Sequence, residues 1–359
     1  MLQKKNLVIS SLNLRAQDDL RQDLDETLQR LRALEGLKGI LTDTGRQFNL
    51  QGLSPQPLPD PPVDSQSPSR ESFEAKEIPA TAYRPTTPSP GLTAKEVLDA
   101  LEFDPSAAQR DCETLLRMRA GPTILSDNRL LYIIRSFRLR AWLEIDESAA
   151  LLINGGGESR PDSEASYIAA KLVESLLIAT QTTPCIVALA YFCGQHRHLR
   201  TDVYASPSEM AMSLLLQLVH AHQDSLTPGD LQTCLVGLDP RRIGSICDVL
   251  EKLVDMLGGE TFLFVVLDSI SFFAHPAPRQ QETAELLRRL TAIQRKPTKA
   301  IVKLLFTSPS RAIFVEQMID EYEIINVPQT PPSAGKWNDS VFSELFGELK
   351  DDADDSSDG

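Results

Sequence analysis

Four almost uninterrupted apolar runs, the first three each followed by a stretch with helical spacing, set the limits on what this chain can fold into. They are Leu151–Asn154, Cys185–Phe192, Thr261–Asp268 and Ile301–Thr307, with a shorter fifth from Tyr322 to Val327. A strand with one wet face alternates apolar and polar residues. These runs do not, so both faces of their sheet are covered. Between them, Ala165, Ala169, Leu172, Val173 and Leu176 fall on one helical stripe behind Ser163, a candidate N-cap. A second helix starts at Pro207 and runs through Met210, Leu214, Leu215, Leu218 and Val219. A turn is expected at Pro228-Gly229. Further helices are expected from Ile243 to Leu257, ended by Gly258-Gly259, and from about Glu282 to Ile293. Strand and helix in alternation mean an α/β fold, a parallel sheet with helices on both faces and right-handed crossovers. Ligands of such sheets sit at the carboxyl ends of the strands. Here those ends carry Asn154-Gly155, Cys193-Gly194, Asp268-Ser269 and Thr307-Ser308.

The first of these ends is the most informative. Leu151-Leu152-Ile153-Asn154 breaks into Gly155-Gly156-Gly157, and a helix begins a few residues later. That is the strand, glycine loop, helix order of a phosphate-binding loop, in which glycines let backbone N–H groups point at the anion. Such a loop also needs a lysine for the β- and γ-phosphates and a hydroxyl for the magnesium ion. Read from Gly155, the lysine position holds Pro161. Read from Gly156 it holds Asp162, with Ser163 at the hydroxyl position, and read from Gly157 it holds Ser163. No register supplies the lysine. Glu158, Asp162 and Glu164 place carboxylates where polyphosphate would lie, and a like charge at about 4 Å costs on the order of 4 kcal/mol at an effective dielectric near 20. Arg160 offsets part of this. Asp268 stands where a metal-holding aspartate would end a buried strand, followed by Ser269 rather than a second acid. Thr307 and Ser308 stand where a γ-phosphate would be sensed. The candidate nucleotide-binding residues are therefore Gly155, Gly156, Gly157, Arg160, Ser163, Asp268, Thr307 and Ser308, with ATP or GTP and magnesium as the ligand if one binds. The missing lysine argues against catalysis, and no cofactor is the leading expectation.

Other constellations are weaker. Cys193-Gly194-Gln195-His196-Arg197-His198 invites a zinc reading, but a structural site wants four ligands and no second pair follows nearby. No Gly-x-Ser-x-Gly is present, and no carboxylate partner can be assigned to the histidines from spacing. The five cysteines are scattered, odd in number and set in apolar patterns, as reduced core thiols would be.

Composition divides the chain. Residues 1–49 include an amphipathic helix over 16–41, with Leu20, Leu24, Leu28, Leu31 and Leu34 on one stripe. Residues 50–92 are a Pro/Ser-rich linker with too few large apolar groups to order itself. A helical lead-in covers 93–145, opened by a capping box from Thr93 to Glu96. The sheet domain covers 146–330, and 331–359 is a C-terminal segment with the acidic run Asp351-Asp352-Ala353-Asp354-Asp355. Net charge is −14 with no basic block, which speaks against a nucleic-acid partner. No apolar run reaches the roughly 20 residues of a spanning helix, so no membrane insertion is expected and a cytoplasmic location is the default.

Trp142-Leu143 ahead of Leu151–Gly155, Ile186-Val187-Ala188 leading to Tyr191-Phe192-Cys193-Gly194, Leu215-Leu216-Gln217-Leu218, Phe264–Asp268 and Lys303–Ser308 together resemble a fungal NACHT-type domain. That family belongs to the STAND class of P-loop NTPases and is related to the nephrocystin-like N-terminal module. The resemblance spans about residues 125–328. It implies a nucleotide-dependent switch in signalling or non-self recognition, followed by a winged-helix region and sensor repeats. Two features depart from the family pattern: the lysine of the phosphate loop is missing, and no repeats follow the fifth strand. The reading is then a pseudo-NTPase acting through contacts with protein partners in intracellular signalling or regulation. Two alternatives are an atypical NTPase switch using Arg160, Ser163 and Asp268, and an adaptor binding through its N-terminal helix and Pro-rich linker.

Overall fold

The structure is a computed structural model that describes residues 93–118, 125–157, 159–333, 335–338 and 341–342. The expected helix over 16–41, the linker over 50–92, Glu158 and the acidic run from Asp351 lie outside the described residues. Four helices come first: α1 (Ala94–Ala100), α2 (Ala107–Met118), α3 (Asp127–Ile134) and α4 (Phe137–Glu144). Strands and helices then alternate as β1 (Ala149–Asn154), α5 (Glu164–Thr182), β2 (Ile186–Phe192), α6 (Pro207–Ala221), α7 (Pro228–Leu235), α8 (Ile243–Met256) and β3 (Phe262–Asp268). The remainder is α9 (Ala277–Arg295), β4 (Ile301–Ser308), the single turn α10 (Ile313–Glu316) and β5 (Ile324–Asn326).

The five strands form one parallel sheet in the order β2-β3-β4-β1-β5. This is the expected α/β class. Alternate residues of each strand enter different cores, as the period of two demands. Leu152, Leu189, Val265 and Leu304 point to one face with α1, α6, α8 and α9. Leu151, Ile153, Val266 and Leu305 point to the other, against α5 and the helices α2, α3 and α4. Both faces are therefore dry, which is why the strands read as continuous apolar runs.

Capping follows the sequence closely. Thr93 and Glu96 form the capping box of α1, and Ser163 caps α5 by accepting from the Ser166 N–H. Two expectations need correction. Pro228-Gly229 is not a turn but the start of α7, because Thr227 caps Asp230 N and a proline at the first helical position has no N–H to lose. Helix α9 starts at Ala277, five residues before Glu282, since its first turn is polar and carries no stripe to read.

A lysine lies inside the sheet layer. Lys303 of β4 is fully buried, and its Nζ donates to the carbonyls of Trp142 at 2.8 Å and Ile145 at 2.5 Å. Trp142 lies in the last turn of α4 and Ile145 is its C-cap, so these carbonyls sit at the helix end that carries partial negative charge. The lysine thus fastens α4 to the middle of the sheet.

Candidate functional site

Strand order places β1 between β4 and β5, so β1 and β4 leave toward opposite edges of the sheet. Their carboxyl ends meet at the point where the topology reverses, the usual ligand crevice of an open α/β sheet. Here chain fills that point. Asn154, buried at the end of β1, donates through Nδ2 to Glu316 Oε1 at 2.7 Å and Asn326 Oδ1 at 2.9 Å, and its Oδ1 accepts from Ala312 N at 3.1 Å. Glu316 is held in turn by Arg311, whose Nε donates at 2.8 Å.

The glycine loop continues in the same way. Gly155 N donates to Ser308 O at 2.7 Å, and Gly157 N to Pro309 O at 3.1 Å. A Cβ on Gly155 would lie 2.6 Å from Pro309 O. Gly156 has φ +61°, and its Cβ would lie 2.3 Å from Val327 O. The glycines are thus required by three backbones closing on one another, a need that leaves the same mark in sequence as a phosphate cradle does. Arg129 of α3 completes the packing. Its Nη2 donates to Gly155 O, its Nη1 to Pro328 O at 2.8 Å and its Nε to Glu164 Oε2 at 3.1 Å. Glu164 Oε1 accepts from Ser126 N at 3.0 Å, and both charged side chains are buried. Glu164 is therefore not a bare carboxylate beside a phosphate position, as its place in the sequence suggested. It is neutralised by an arginine 35 residues away. Asp162 lies 4.0 Å from Arg160 Nε, and Arg160 itself is exposed.

Behind the loop, the ends of β3 and β4 and the first turn of α5 share a buried polar chain. Ser163 Oγ lies 2.9 Å from Ser166 Oγ, which lies 2.8 Å from Ser269 Oγ. Ser269 N donates to Thr307 Oγ1 at 3.0 Å, and Thr307 Oγ1 donates to Asp268 Oδ1 at 2.5 Å. Ser269 sits in the left-handed region at φ 57°, a conformation that serine adopts only where its surroundings impose it. Burial pushes the Asp268 carboxyl up to about 6, against the pull of the Thr307 hydroxyl. Asp268 Oδ2 and Ser308 Oγ have no hydrogen-bond partner among the described residues. Of the eight candidates, Ser163, Asp268 and Thr307 thus meet in one network. The three glycines and the Ser308 carbonyl meet in a second, and Arg160 stands apart.

The Cys193–His198 stretch resolves differently from a metal site. The Cys193 thiol is buried and raised well above the usual thiol range by that burial. His196 instead places Nδ1 at 2.9 Å from Asp202 Oδ2 and Nε2 at 3.0 Å from Asp111 Oδ2. Spacing alone assigned this histidine no carboxylate, and the structure gives it two. No cluster of His, Cys, Asp and Glu among the described residues suits a metal ion.

Nothing local in the sequence points to Arg129, Ser166, Asp111 or the role of Lys303. Each acts on a residue tens of positions away in the chain. Only Asp202, six residues from His196, was close enough to suggest itself.

No family model and no curated protein matches the chain. Among solved structures, the chain is similar to the Aeropyrum pernix Orc1 protein in complex with DNA, at 14% identity and a TM-score of 0.37, over 67% of this chain and 53% of that one. A likeness of that size assigns no activity. Among the described residues, no helix is long and apolar enough to cross a membrane.

Proposed function

We propose that the chain is a pseudo-NTPase of the fungal NACHT type: a nucleotide-binding architecture that no longer uses nucleotide and works through contacts with protein partners in the cytoplasm. The observation that carries this reading is the engagement of the loop's own donors. Gly155 N and Gly157 N, two donors an anion would need, are bonded to Ser308 O and Pro309 O. The Arg129–Glu164 pair seals the remaining side of the loop. An incoming polyphosphate would have to break both backbone bonds and displace a buried ion pair without a lysine to repay it. The net charge of −14 and the lack of a basic block in the sequence support a protein partner over a nucleic acid.

The rival reading, an atypical ATP or GTP switch using Arg160, Ser163 and Asp268, draws on one observation, the unpartnered Oδ2 of Asp268. Thermal unfolding with and without about 1 mM MgATP or MgGTP separates the two. A nucleotide at 100 times its dissociation constant stabilises the fold by about 2.7 kcal/mol, a rise of several degrees. The pseudo-NTPase reading expects no rise with either nucleotide. A rise abolished by Asp268→Ala would overturn it in favour of the rival.

A further inference from the structure

His196 follows β2 at the sheet's carboxyl end and is half-buried. Both of its ring nitrogens face carboxylates, at 2.9 and 3.0 Å. Carboxylates only accept, so two hydrogen bonds require a proton on each nitrogen, which makes the ring an imidazolium. The two acids come from different places. Asp202 belongs to the same loop and is fixed there, since its Oδ1 accepts from Tyr204 N at 2.9 Å. Asp111 belongs to α2, which is independently packed on α5 through Cys112 and Leu115.

We propose that His196 is a proton-operated latch: as the imidazolium it fastens the loop of residues 197–203 to α2, and loss of one proton to solvent releases Asp111 and loosens that loop. A neutral ring keeps one N–H and turns a lone pair toward the other carboxylate. The contact within the loop is the shorter-range one, so it is the bond to Asp111 that goes. Helix α2 stays where its apolar residues hold it, and the loop is the part freed. That loop presents Leu199 and Val203, 46% and 79% exposed, so its order governs how these two apolar side chains are displayed.

Among the described residues, the other charged and titratable groups near the ring include Arg110 on α2, already paired with Asp104, Tyr191 on β2 with Glu209 of α6 near it, Tyr204, Arg279 on α9, and Arg197 and His198 of the loop, bonded to each other. Arg279 donates to the His196 carbonyl at 3.0 Å and opposes the ring's charge; the carboxylates favour it. Burial alone lowers the ring's affinity for its second proton, and the bonds and charges of Asp111 and Asp202 more than reverse this, so the pKa is raised above 6.5. For a raised histidine the stabilisation is complete below the unfolded value near 6.5 and disappears as pH rises through the folded value.

The test uses the whole chain. The Cε1–H resonance of His196, assigned with His196→Gln, is followed by NMR from pH 5.5 to 9. Hydrogen exchange of residues 197–203, corrected for the intrinsic rate, is followed over the same range. The latch expects a midpoint above 6.5 and protection falling by about tenfold through it, the equivalent of one charge-assisted bond. In Asp111→Asn the midpoint drops, and protection is already low at pH 6. A midpoint at or below 6.5, or protection that stays flat across it, overturns the proposal. The wild-type comparison decides this even where the variant does not fold.

Discussion

Removing the charge of Glu164 tests whether the glycine loop is a structural joint. Glu164→Gln keeps the shape and leaves an acceptor for Ser126 N. It leaves the Arg129 guanidinium buried among the carbonyls of Gly155 and Pro328 with no anion to balance it. Both partners are about 9% exposed, so solvent screens little of the loss. Breaking one side of a buried pair costs about 3–5 kcal/mol, because the charge left behind remains desolvated. Urea unfolding can be followed through Trp142 and Trp337, both buried. With a slope of about 1–3 kcal/mol per molar, the midpoint should fall by at least about 1 M. Arg129→Met leaves the Gly155 and Pro328 carbonyls without their donor and should cost a comparable amount. The double variant should be less damaged than the sum of the two, by about 1–3 kcal/mol of coupling. Amide exchange adds a local readout, since Gly155 and Gly157 should lose protection before the sheet does. A Glu164→Gln protein within about 0.5 kcal/mol of wild type, with those two amides still protected, would show that the pair does not hold the loop.

Three further outcomes follow from the same geometry. Gly156→Ala puts a Cβ 2.3 Å from Val327 O at a positive φ and should destabilise by about 1–3 kcal/mol in the same urea assay, whereas a neutral effect would refute the close approach. Lys303→Met strands the Trp142 and Ile145 carbonyls inside the layer and should cost about 1–3 kcal/mol; Lys303→Arg, unable to place its bulkier head in the same space, should not rescue it. Asp268 has a folded pKa of about 6 against about 3.9 unfolded, so the native state holds its proton longer and stability should fall as pH rises from about 4 to 6, by on the order of 3 kcal/mol. Asp268→Asn should flatten that fall and be the more stable protein at pH 8, and an unchanged pH profile would count against the assignment.

Much of this was legible in the chain because it depends on local pattern. Five parallel strands, Ser163 and Thr93 as caps, and the place of the glycine loop at a strand end all follow from period, propensity and capping chemistry within a few residues. The site was legible only as a list. Gly155, Gly156, Gly157, Ser163, Asp268 and Thr307 do converge on neighbouring strand ends. Whether glycines make room for a ligand or for other backbone is not written in the glycines, since both uses need the same missing Cβ.

The parallel strands, their two dry faces and the missing phosphate-binding lysine can all be read along the chain, because burial period and residue identity are properties of short segments. What the glycine loop does depends on groups that folding brings to it. The fold brings the carbonyls of Ser308 and Pro309 onto the loop's N–H groups, Arg129 onto Glu164, Asp111 onto His196 and Lys303 onto the end of α4. Each of these joins residues from 35 to 161 positions apart. The physical reason is that a buried charge or donor must find a partner somewhere, and strand order, not sequence distance, sets which groups are within 3 Å.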